Sequence, residues 1–194
     1  MKVAIVKYNA GNIRSVDFAL QGLGIKARIT ADPDEIRHAD RVIFPGVGEA
    51  ASTMAHLKET GLDQVIRSLS QPVLGICLGQ QLMCSWSEEG DTPCIGIFED
   101  KVRRFPSIGM NIPHIGWSRL DEVKGDLFPE ALQGSYAYFV HSYYVPVGKY
   151  TAASSNYILP FSAAMQKGNF YATQFHPEKS GGPGAQILSN FLAL

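Results

Sequence analysis

Cysteine is scarce in this 194-residue chain, which has three: Cys77, Cys84 and Cys94. An odd number without the spacing of a small disulfide-bonded scaffold argues against a disulfide framework and favours a reducing compartment. The interval between Cys77 and Cys84 is also a poor zinc-binding spacing, and the histidines lie far from these cysteines in sequence. We therefore expect no zinc site, and we interpret Cys84 and Cys94 as small core residues.

The chain also lacks an excess of charge and a long apolar segment. Its formal net charge is −1 and it has no basic block, which argues against nucleic acid as the main ligand. No apolar run approaches the length of a membrane span, and the short one at the N terminus, interrupted by Lys7, is unlike a signal peptide. Because 45% of residues are hydrophobic, we expect a globular protein, and the cysteine pattern favours the cytoplasm as its compartment.

Strand and helix patterns alternate along the first hundred residues. Apolar residues recur at three- and four-residue steps over residues 11–23, which predicts a helix, whereas residues 41–44 and 73–76 are near-continuous apolar runs typical of buried strands. This alternation predicts an α/β fold with a mostly parallel sheet covered by helices on both faces.

The middle of the chain has a different character. Residues 92–160 are rich in Gly, Pro and aromatic residues, and short strand patterns at 96–98, 102–105, 112–117 and 136–142 predict a smaller antiparallel excursion. A helix is predicted at 185–194. Since no internal repeat or linker interrupts the sequence, we expect residues 1–194 to form a single domain.

The most informative segment is Gly-Ile-Cys-Leu-Gly at residues 75–79, which follows an apolar run and precedes a helix-compatible segment. Glycines two residues before and after Cys77 are typical of a nucleophile elbow, a tight strand-to-helix turn that exposes one side chain. The glycines relieve crowding in this strained turn, and the positive end of the following helix favours a thiolate. We interpret Cys77 as a nucleophile rather than as a buried structural cysteine.

A second motif, Gln-Phe-His-Pro-Glu at residues 174–178, supplies a base and an acid. Residues two apart on an extended chain point the same way, so Glu178 can lie beside His176 and hold its tautomer. Taken alone, Glu178 is also consistent with a surface residue after a turn. Together with the elbow, the motif predicts a triad of Cys77, His176 and Glu178.

Pro-Gly-Val-Gly at residues 45–48 follows another predicted strand, and we expect it at the same sheet edge as Cys77. A phosphate loop is disfavoured because Walker spacing and a lysine are missing. The glycines suit a strand that presents a peptide N–H to a developing negative charge, and a plain turn stays an alternative. Gln81, one helical turn after Cys77, either binds a polar substrate or is a solvated helix residue.

Two aromatic residues of the middle segment also have two interpretations each. Trp117 is either a core residue or an anchor at an interface, where tryptophan is enriched. His141 lies among polar residues near the expected pocket, although a lone histidine in such a strand is more often a core residue than a catalyst.

The motifs at 75–79 and 174–178 together resemble those of the class I (triad) glutamine amidotransferases. Further segments resemble the subfamily that provides the glutaminase subunits of imidazole glycerol phosphate synthases. These segments are Asn-Ala-Gly-Asn-Ile at 9–13, Pro-Gly-Val-Gly at 45–48, His-Ile-Gly-Trp at 114–117, Tyr-Phe-Val-His-Ser-Tyr at 138–143 and His-Pro-Glu-Lys-Ser at 176–180. The resemblance covers essentially the whole chain and implies a flavodoxin-like fold with a smaller antiparallel excursion.

The resemblance implies that Cys77 attacks the side-chain amide of L-glutamine, that His176 transfers protons and that Glu178 orients His176. The residues that would form the oxyanion hole are Gly46, Val47, Gly48 and Leu78. The residues that would position glutamine are Gln81, Ser142 and Tyr143. No metal or organic cofactor is implied. Two departures from the family lie next to the triad. Gln80 occupies a position that is Met in many relatives, and Ala172-Thr173 precede Gln174 where Gly and an aliphatic residue are commoner.

A partner is implied as well. The ammonia would pass to a cyclase subunit with a (β/α)8 barrel, in a heterodimer that makes imidazole glycerol phosphate and aminoimidazole carboxamide ribonucleotide for histidine biosynthesis. The residues expected at the interface are Asn12, Trp117, Tyr138 and Lys179. Three alternatives stay open: the glutaminase of another ammonia-dependent synthase, a stand-alone cysteine hydrolase of the same architecture, and a non-catalytic interaction protein. The order of the His-Pro-Glu motif argues against the second, and the intact triad residues argue against the third.

Overall fold

A seven-stranded sheet lies at the centre of the computed structural model, which describes residues 1–8 and 12–194. The strands in chain order are β1 (Val3–Val6), β2 (Arg28–Thr30), β3 (Arg41–Gly46), β4 (Val73–Cys77), β5 (Trp86–Ser87), β6 (Thr92–Pro93), β7 (Lys101–Arg104), β8 (His114–Arg119), β9 (Tyr136–His141), β10 (Tyr143–Tyr144), β11 (Thr151–Asn156), β12 (Pro160–Lys167) and β13 (Phe170–Thr173). The order in the central sheet is β11–β12–β13–β4–β3–β1–β2. Neighbouring strands from β13 to β2 are parallel, and β11 and β12 add an antiparallel edge, so the predicted mostly parallel sheet is confirmed.

Helices cover both faces of this sheet. They are α1 (Ile13–Gly22), α2 (Pro33–Arg37), α3 (Ala50–Thr60), α4 (Leu62–Arg67), α5 (Leu78–Met83) and α6 (Gly181–Ala193). Successive strand residues point to opposite faces, so Val3 and Ile5 of β1 pack in one core with α1 and α6, while Ala4 and Val6 pack in the other with α2 to α5. Burial on both faces explains the continuous apolar runs of the central strands.

The middle of the chain forms two smaller sheets. One has the order β10–β7–β5–β6, and the other is the antiparallel pair β8–β9, in which Trp117 lies opposite Tyr138. The strand predicted at 96–98 is wrong. The N–H groups of Ile97 and Phe98 both donate to the Met83 carbonyl oxygen at 2.9 Å, so this segment caps the end of α5 instead of pairing with a strand.

Several element boundaries differ from those predicted. The last helix begins at Gly181, four residues before the predicted start, because Pro183 is compatible with a first helical turn. Strand β3 continues to Gly46, so two residues predicted as part of a turn belong to the sheet. The start of the helix predicted over 11–23, and the Asn9-Ala10-Gly11 part of the motif at 9–13, lie outside the described residues. None of the described helices has the length and apolar character required to cross a membrane.

Candidate active site

Cys77 lies at the junction of β4 and α5, at the carboxyl end of the central strands. Its φ of 56° and ψ of −109° are costly for a residue that has a side chain. Two glycines make room for this turn: a Cβ at Gly79 would lie 2.0 Å from the Phe44 carbonyl oxygen, and a Cβ at Gly75 would lie 2.5 Å from Met83 Sδ. The structure therefore has the strand-to-helix elbow that the glycine spacing predicts.

The sulfur of Cys77 has two polar neighbours at a site that is 7% exposed. Sγ lies 3.8 Å from the carbonyl oxygen of Val140 and 3.8 Å from Nε2 of Gln174. The carbonyl oxygen can only accept, so it suits the neutral thiol, whereas the amide nitrogen donates to the sulfur and suits a thiolate. The sulfur therefore lies between a carbonyl group that favours the thiol and an amide group that favours the thiolate.

His176 and Glu178 meet, but through a 3-10 turn over Pro177–Lys179 instead of the predicted extended chain. His176 lies three residues after the end of β13, which is the neighbour of β4 in the sheet. Its Nδ1 lies 2.8 Å from Oε1 of Glu178. Nδ2 of Asn12 donates to the same Oε1 at 2.5 Å and lies 3.4 Å from Nδ1 of His176. Asn12, which the resemblance assigns to an interface, thus contacts both members of this pair. Among the described residues, none forms a hydrogen bond with the buried Oε2 of Glu178.

The surroundings of His176 favour its protonated form. Burial lowers its pKa, but the interactions with the Cys77 sulfur and the Glu178 carboxylate outweigh burial and raise the pKa to about 10. Glu178 engages Nδ1, so Nε2 is the ring nitrogen available to a reacting atom. At neutral pH the site therefore pairs an imidazolium with the sulfur, which stabilises a thiolate and provides a proton for a leaving group.

Strand β9 fixes the turn that carries His176. The backbone N–H of His176 donates to the Tyr138 carbonyl oxygen at 3.0 Å. The Ser180 hydroxyl donates to the His176 carbonyl oxygen at 2.7 Å and accepts from the Tyr138 N–H at 2.9 Å. A single buried hydroxyl thus joins the base to the strand that also provides one wall of the site.

The end of β3 runs beside the elbow. Gly46 pairs with Cys77 in the sheet, and a Cβ at Gly46 would lie 2.6 Å from Tyr8 Oη, so a larger residue does not fit. The Tyr8 hydroxyl donates to the Pro45 carbonyl oxygen at 2.5 Å and thereby holds this strand end. Gly48 follows with φ of 119°, a conformation that is easily adopted only by glycine.

Gln81 is held on α5, one turn after Cys77. Its Nε2 donates to the Tyr143 carbonyl oxygen at 3.0 Å and to Oε1 of Gln174 at 2.9 Å. Both amide hydrogens are engaged within the protein, so Oε1 is the atom that Gln81 offers to a ligand. Because Gln81 is buried, its interpretation as a solvated helix residue is wrong.

Two uncharged histidines pair beside the cavity, and one of them, His141, is part of its wall. His141 Nδ1 donates to the Tyr143 carbonyl oxygen at 2.7 Å, so its Nε2 accepts from His114 Nδ1 at 3.1 Å. Nε2 of His114 then accepts from the Ser118 hydroxyl at 2.9 Å. Burial lowers the pKa of His114 to about 4 and that of His141 to about 3, and the ring of Tyr157 stacks on His114 at 4.0 Å. His141 is thus a hydrogen-bonded core histidine rather than a base.

These groups surround a cavity of about 410 Å³ at the carboxyl ends of the parallel strands, where ligands bind in such sheets. The predicted site residues on its wall are Asn12, Val47, Gly48, Cys77, Leu78, Gln81, Ser142, Tyr143, His176 and Lys179. The other four predicted site residues do not line the cavity: Gly46, Trp117, Tyr138 and Glu178. Within the part of the chain that the structure describes, no three His, Cys, Asp or Glu residues are grouped to hold a metal ion.

Glu89 is a wall residue that the sequence analysis missed. Its Oε2 accepts from the Ala50 N–H at 2.8 Å, and burial raises its pKa. No motif or periodicity distinguishes Glu89 from its charged neighbours in the sequence. Its position follows from the packing of the turn after β5 against the start of α3.

The β8–β9 pair carries an exposed apolar surface beside the cavity. Ile115, Trp117 and Tyr136 are each more than half exposed, and Trp117 packs edge-on against Tyr138 with 5.9 Å between ring centroids. The interpretation of Trp117 as a core residue is therefore wrong. We refer to Ile115, Trp117, Tyr136 and Tyr138 as the β8–β9 surface. It adjoins the cavity because Val140, which pairs with Ile115, is a wall residue.

A parallel sheet with a cysteine elbow on one strand, and a histidine and carboxylate after its neighbour, is the arrangement of a triad amidotransferase. The model of the class-I glutamine amidotransferase family matches residues 6–194, so the chain belongs to this family.

Similar proteins extend over the full chain. It is 59% identical, over an alignment of 196 residues that covers all of both proteins, to imidazole glycerol phosphate synthase subunit HisH of Bacteroides fragilis strain YCH46. Its identity with subunit HisH of Haemophilus influenzae strain Rd is 46%, over 99% of this chain and 97% of that protein. A crystal structure of a glutamine amidotransferase matches with a TM-score of 0.74 at 21% identity, over 98% and 97% of the two chains, and supports the fold alone.

Proposed function

We propose that this chain is the glutaminase subunit of an imidazole glycerol phosphate synthase. It hydrolyses L-glutamine to glutamate and ammonia and passes the ammonia to a cyclase subunit. The observation that carries this proposal is the full-length identity of 59% with a HisH subunit, in a chain whose cavity contains both Cys77 and His176. The whole chain acts as one domain, because both cores lie against the same central sheet.

The reaction follows from the charge state of the site. The Cys77 thiolate attacks the side-chain amide carbon of glutamine, and the carbonyl oxygen takes the negative charge. The His176 imidazolium gives its Nε2 proton to the leaving nitrogen, so the C–N bond breaks and ammonia and a thioester form. The neutral imidazole then takes a proton from water, which attacks the thioester and releases glutamate. Glu178 keeps the ring oriented through both steps, and Asn12 holds Glu178 by donating to the same carboxylate oxygen.

The oxyanion is stabilised by the Leu78 N–H and by an N–H from residues 46–48. Gly48 has the backbone freedom for such a peptide to rotate, and Tyr8 holds the strand just before it. We therefore propose that this segment completes the oxyanion hole when the partner binds its nucleotide, which limits the waste of glutamine by the free subunit. A resting complex in which Val47 or Gly48 already directs its N–H into a formed hole contradicts this proposal.

The cavity has the polar groups that a free amino acid requires. Oε1 of Gln81, together with Ser142 and Tyr143, positions the amide end of glutamine. Glu89 is the carboxylate on the cavity wall, and we propose that it binds the α-ammonium group. The cavity volume of about 410 Å³ suits a small polar substrate.

The β8–β9 surface is our candidate for the partner contact. Exposed tryptophan and tyrosine on a rigid strand pair are typical interface anchors. The cyclase would have a (β/α)8 barrel and would form a heterodimer in the cytoplasm, with Asn12 and Lys179 near the passage for ammonia. We expect Trp117→Ala to weaken the complex at least tenfold, whereas Val147→Ala, a change at an exposed apolar residue outside this surface, leaves the affinity unchanged. Titration calorimetry distinguishes these outcomes.

The test of the proposed function is glutamate release from glutamine by this chain alone, and then with a histidine-pathway cyclase and its nucleotide. We expect little release alone and a large increase in the mixture. Full release alone, unaffected by the cyclase, would indicate a different synthase or a stand-alone hydrolase. Cys77→Ala should abolish glutaminase activity while synthesis from added ammonia continues. Loss of both activities in a folded complex would contradict a separate ammonia-using site.

A further inference from the structure

Gln174 has a side chain that the mechanism above does not use. It is completely buried, directly before the segment that carries the base, and it bridges two elements of the site. Its Oε1 accepts from Gln81 at 2.9 Å, and its Nε2 lies 3.8 Å from Sγ of Cys77. A glutamine that is fully buried and spans this gap requires an explanation, because a less polar residue would be easier to bury.

The orientation of the Gln174 amide is set, through Gln81, by the carbonyl oxygen of Tyr143, which can accept a hydrogen bond but cannot donate one. The Tyr143 carbonyl oxygen can only accept, so Gln81 must present its NH2 group there. The same nitrogen of Gln81 then donates to Gln174, which must present its oxygen. If Gln174 were flipped, two NH2 groups would face each other. The Gln174 NH2 group is therefore directed at the Cys77 sulfur.

We propose that Gln174 is a positioning residue that holds the Cys77 thiolate by donating an amide hydrogen to Sγ, with its direction fixed by the Tyr143 carbonyl through Gln81. This inference rests on the proposed function, in which Cys77 is the nucleophile. The other contact of the sulfur, the Val140 carbonyl oxygen, can only accept and favours the thiol. Gln174 provides the opposing donor from a side chain that is completely buried.

Other ionisable groups also act on this sulfur and must be kept constant in any test. His176 is a cationic group that interacts with the sulfur. The buried phenol of Tyr8, just after β1, interacts with it as well. His141 is uncharged, because burial and the neighbouring His114 and His176 lower its pKa. An uncharged substitution at Gln174 leaves all three side chains unchanged, so a difference in thiolate formation is attributable to the amide.

Three buried glutamines allow a matched experiment in which each is replaced, one at a time, by methionine. Gln174→Met removes the donor to Sγ. Gln81→Met removes the group that orients Gln174. Gln80→Met is the control, because Gln80 is buried on the same helix but donates to the Ser162 carbonyl oxygen at 3.1 Å and is not part of the cavity wall. Circular dichroism and thermal unfolding establish that each full-length variant is folded.

The readout is the rate at which iodoacetamide alkylates Cys77 as a function of pH, followed on the Cys77 peptide by mass spectrometry. We expect Gln174→Met to move the midpoint of this profile upward by about one pH unit, since a hydrogen bond to an ionised group is lost. Gln81→Met should move it upward by less, and Gln80→Met should leave it unchanged. In the complex, Gln174→Met should lower kcat for glutamine about tenfold with little change in KM.

A folded Gln174→Met variant with the wild-type alkylation profile would overturn the inference. If Gln174→Met does not fold, the Gln81→Met profile decides: an upward shift supports the inference and an unchanged profile overturns it. An equal shift in Gln80→Met would overturn it too, because a general loosening of the core would then explain the effect. Alkylation requires neither glutamine nor a partner, so a shifted profile in a protein without glutaminase activity would refute the proposed function alone.

Discussion

Lowering the pH from 6.5 to 5 should destabilise this protein through His114 and His141. In the unfolded chain both side chains regain the ordinary histidine pKa of about 6.5. In the folded protein their pKa values are about 4 and about 3, because both rings are buried and face each other across one hydrogen bond. The unfolded state therefore binds protons in this pH range that the folded state does not, and unfolding becomes more favourable as the pH falls.

The size of the effect follows from these values. Between pH 6.5 and 5, each histidine lowers the free energy of unfolding by about 1.6 kcal/mol. His176 has a raised pKa, so it is protonated in the folded state throughout, and its contribution is about 0.4 kcal/mol in the opposite direction. The expected net loss is about 3 kcal/mol, a large part of the stability of an ordinary domain.

Urea unfolding, followed by circular dichroism at several pH values, measures this loss. His141→Asn keeps an N–H donor for the Tyr143 carbonyl oxygen but removes one titrating ring, so the loss should fall to about half. Any constant cost of the substitution cancels in the difference between the two pH values. The reasoning is refuted if wild type and His141→Asn lose the same free energy.

Two further predictions follow from the elbow. Gly79→Ala should destabilise the protein by more than about 3 kcal/mol in urea unfolding, because the new Cβ would lie 2.0 Å from the Phe44 carbonyl oxygen. The control is Gly182→Ala, at a helical glycine with open space around it, which should change stability by less than about 1 kcal/mol. Cys77→Ser should lower the pKa of His176, since the charged sulfur partner is lost, and an unchanged NMR titration of the ring would show that Glu178 alone sets its value.

Motifs that act within a few residues were predicted well from the sequence. The glycines beside Cys77 specify a turn by their own steric limits, and that turn is present in the structure. The contact between His176 and Glu178 is present too, but the extended chain predicted for it is wrong, because Pro177–Lys179 form a 3-10 turn that brings the two side chains together. The alternating apolar runs likewise predicted the parallel sheet, because burial on both faces leaves a continuous apolar pattern.

Contacts between distant segments were not predictable in this way. Asn12 reaches the acid of the triad across 166 residues, and Gln174 is oriented by a carbonyl group of another strand. Neither contact leaves a periodic signal, because each depends on how separate elements dock. Glu89 is similar: it stands in a short polar run, and only the packing of its turn against α3 makes it part of the cavity wall.

The neighbouring positions of β4 and β13 have a consequence for the order in which this protein becomes reactive. Cys77 ends β4 and His176 follows the end of β13, but the two residues are separated by 99 residues of sequence. At a synthesis rate of about 5–20 residues per second, the thiol leaves the ribosome roughly 5–20 s before its base. During that interval β4 can pair with β3, but the place of β13 in the sheet is empty. The nascent chain therefore carries an unactivated cysteine, and its reactivity appears only when the last parallel strand closes the sheet.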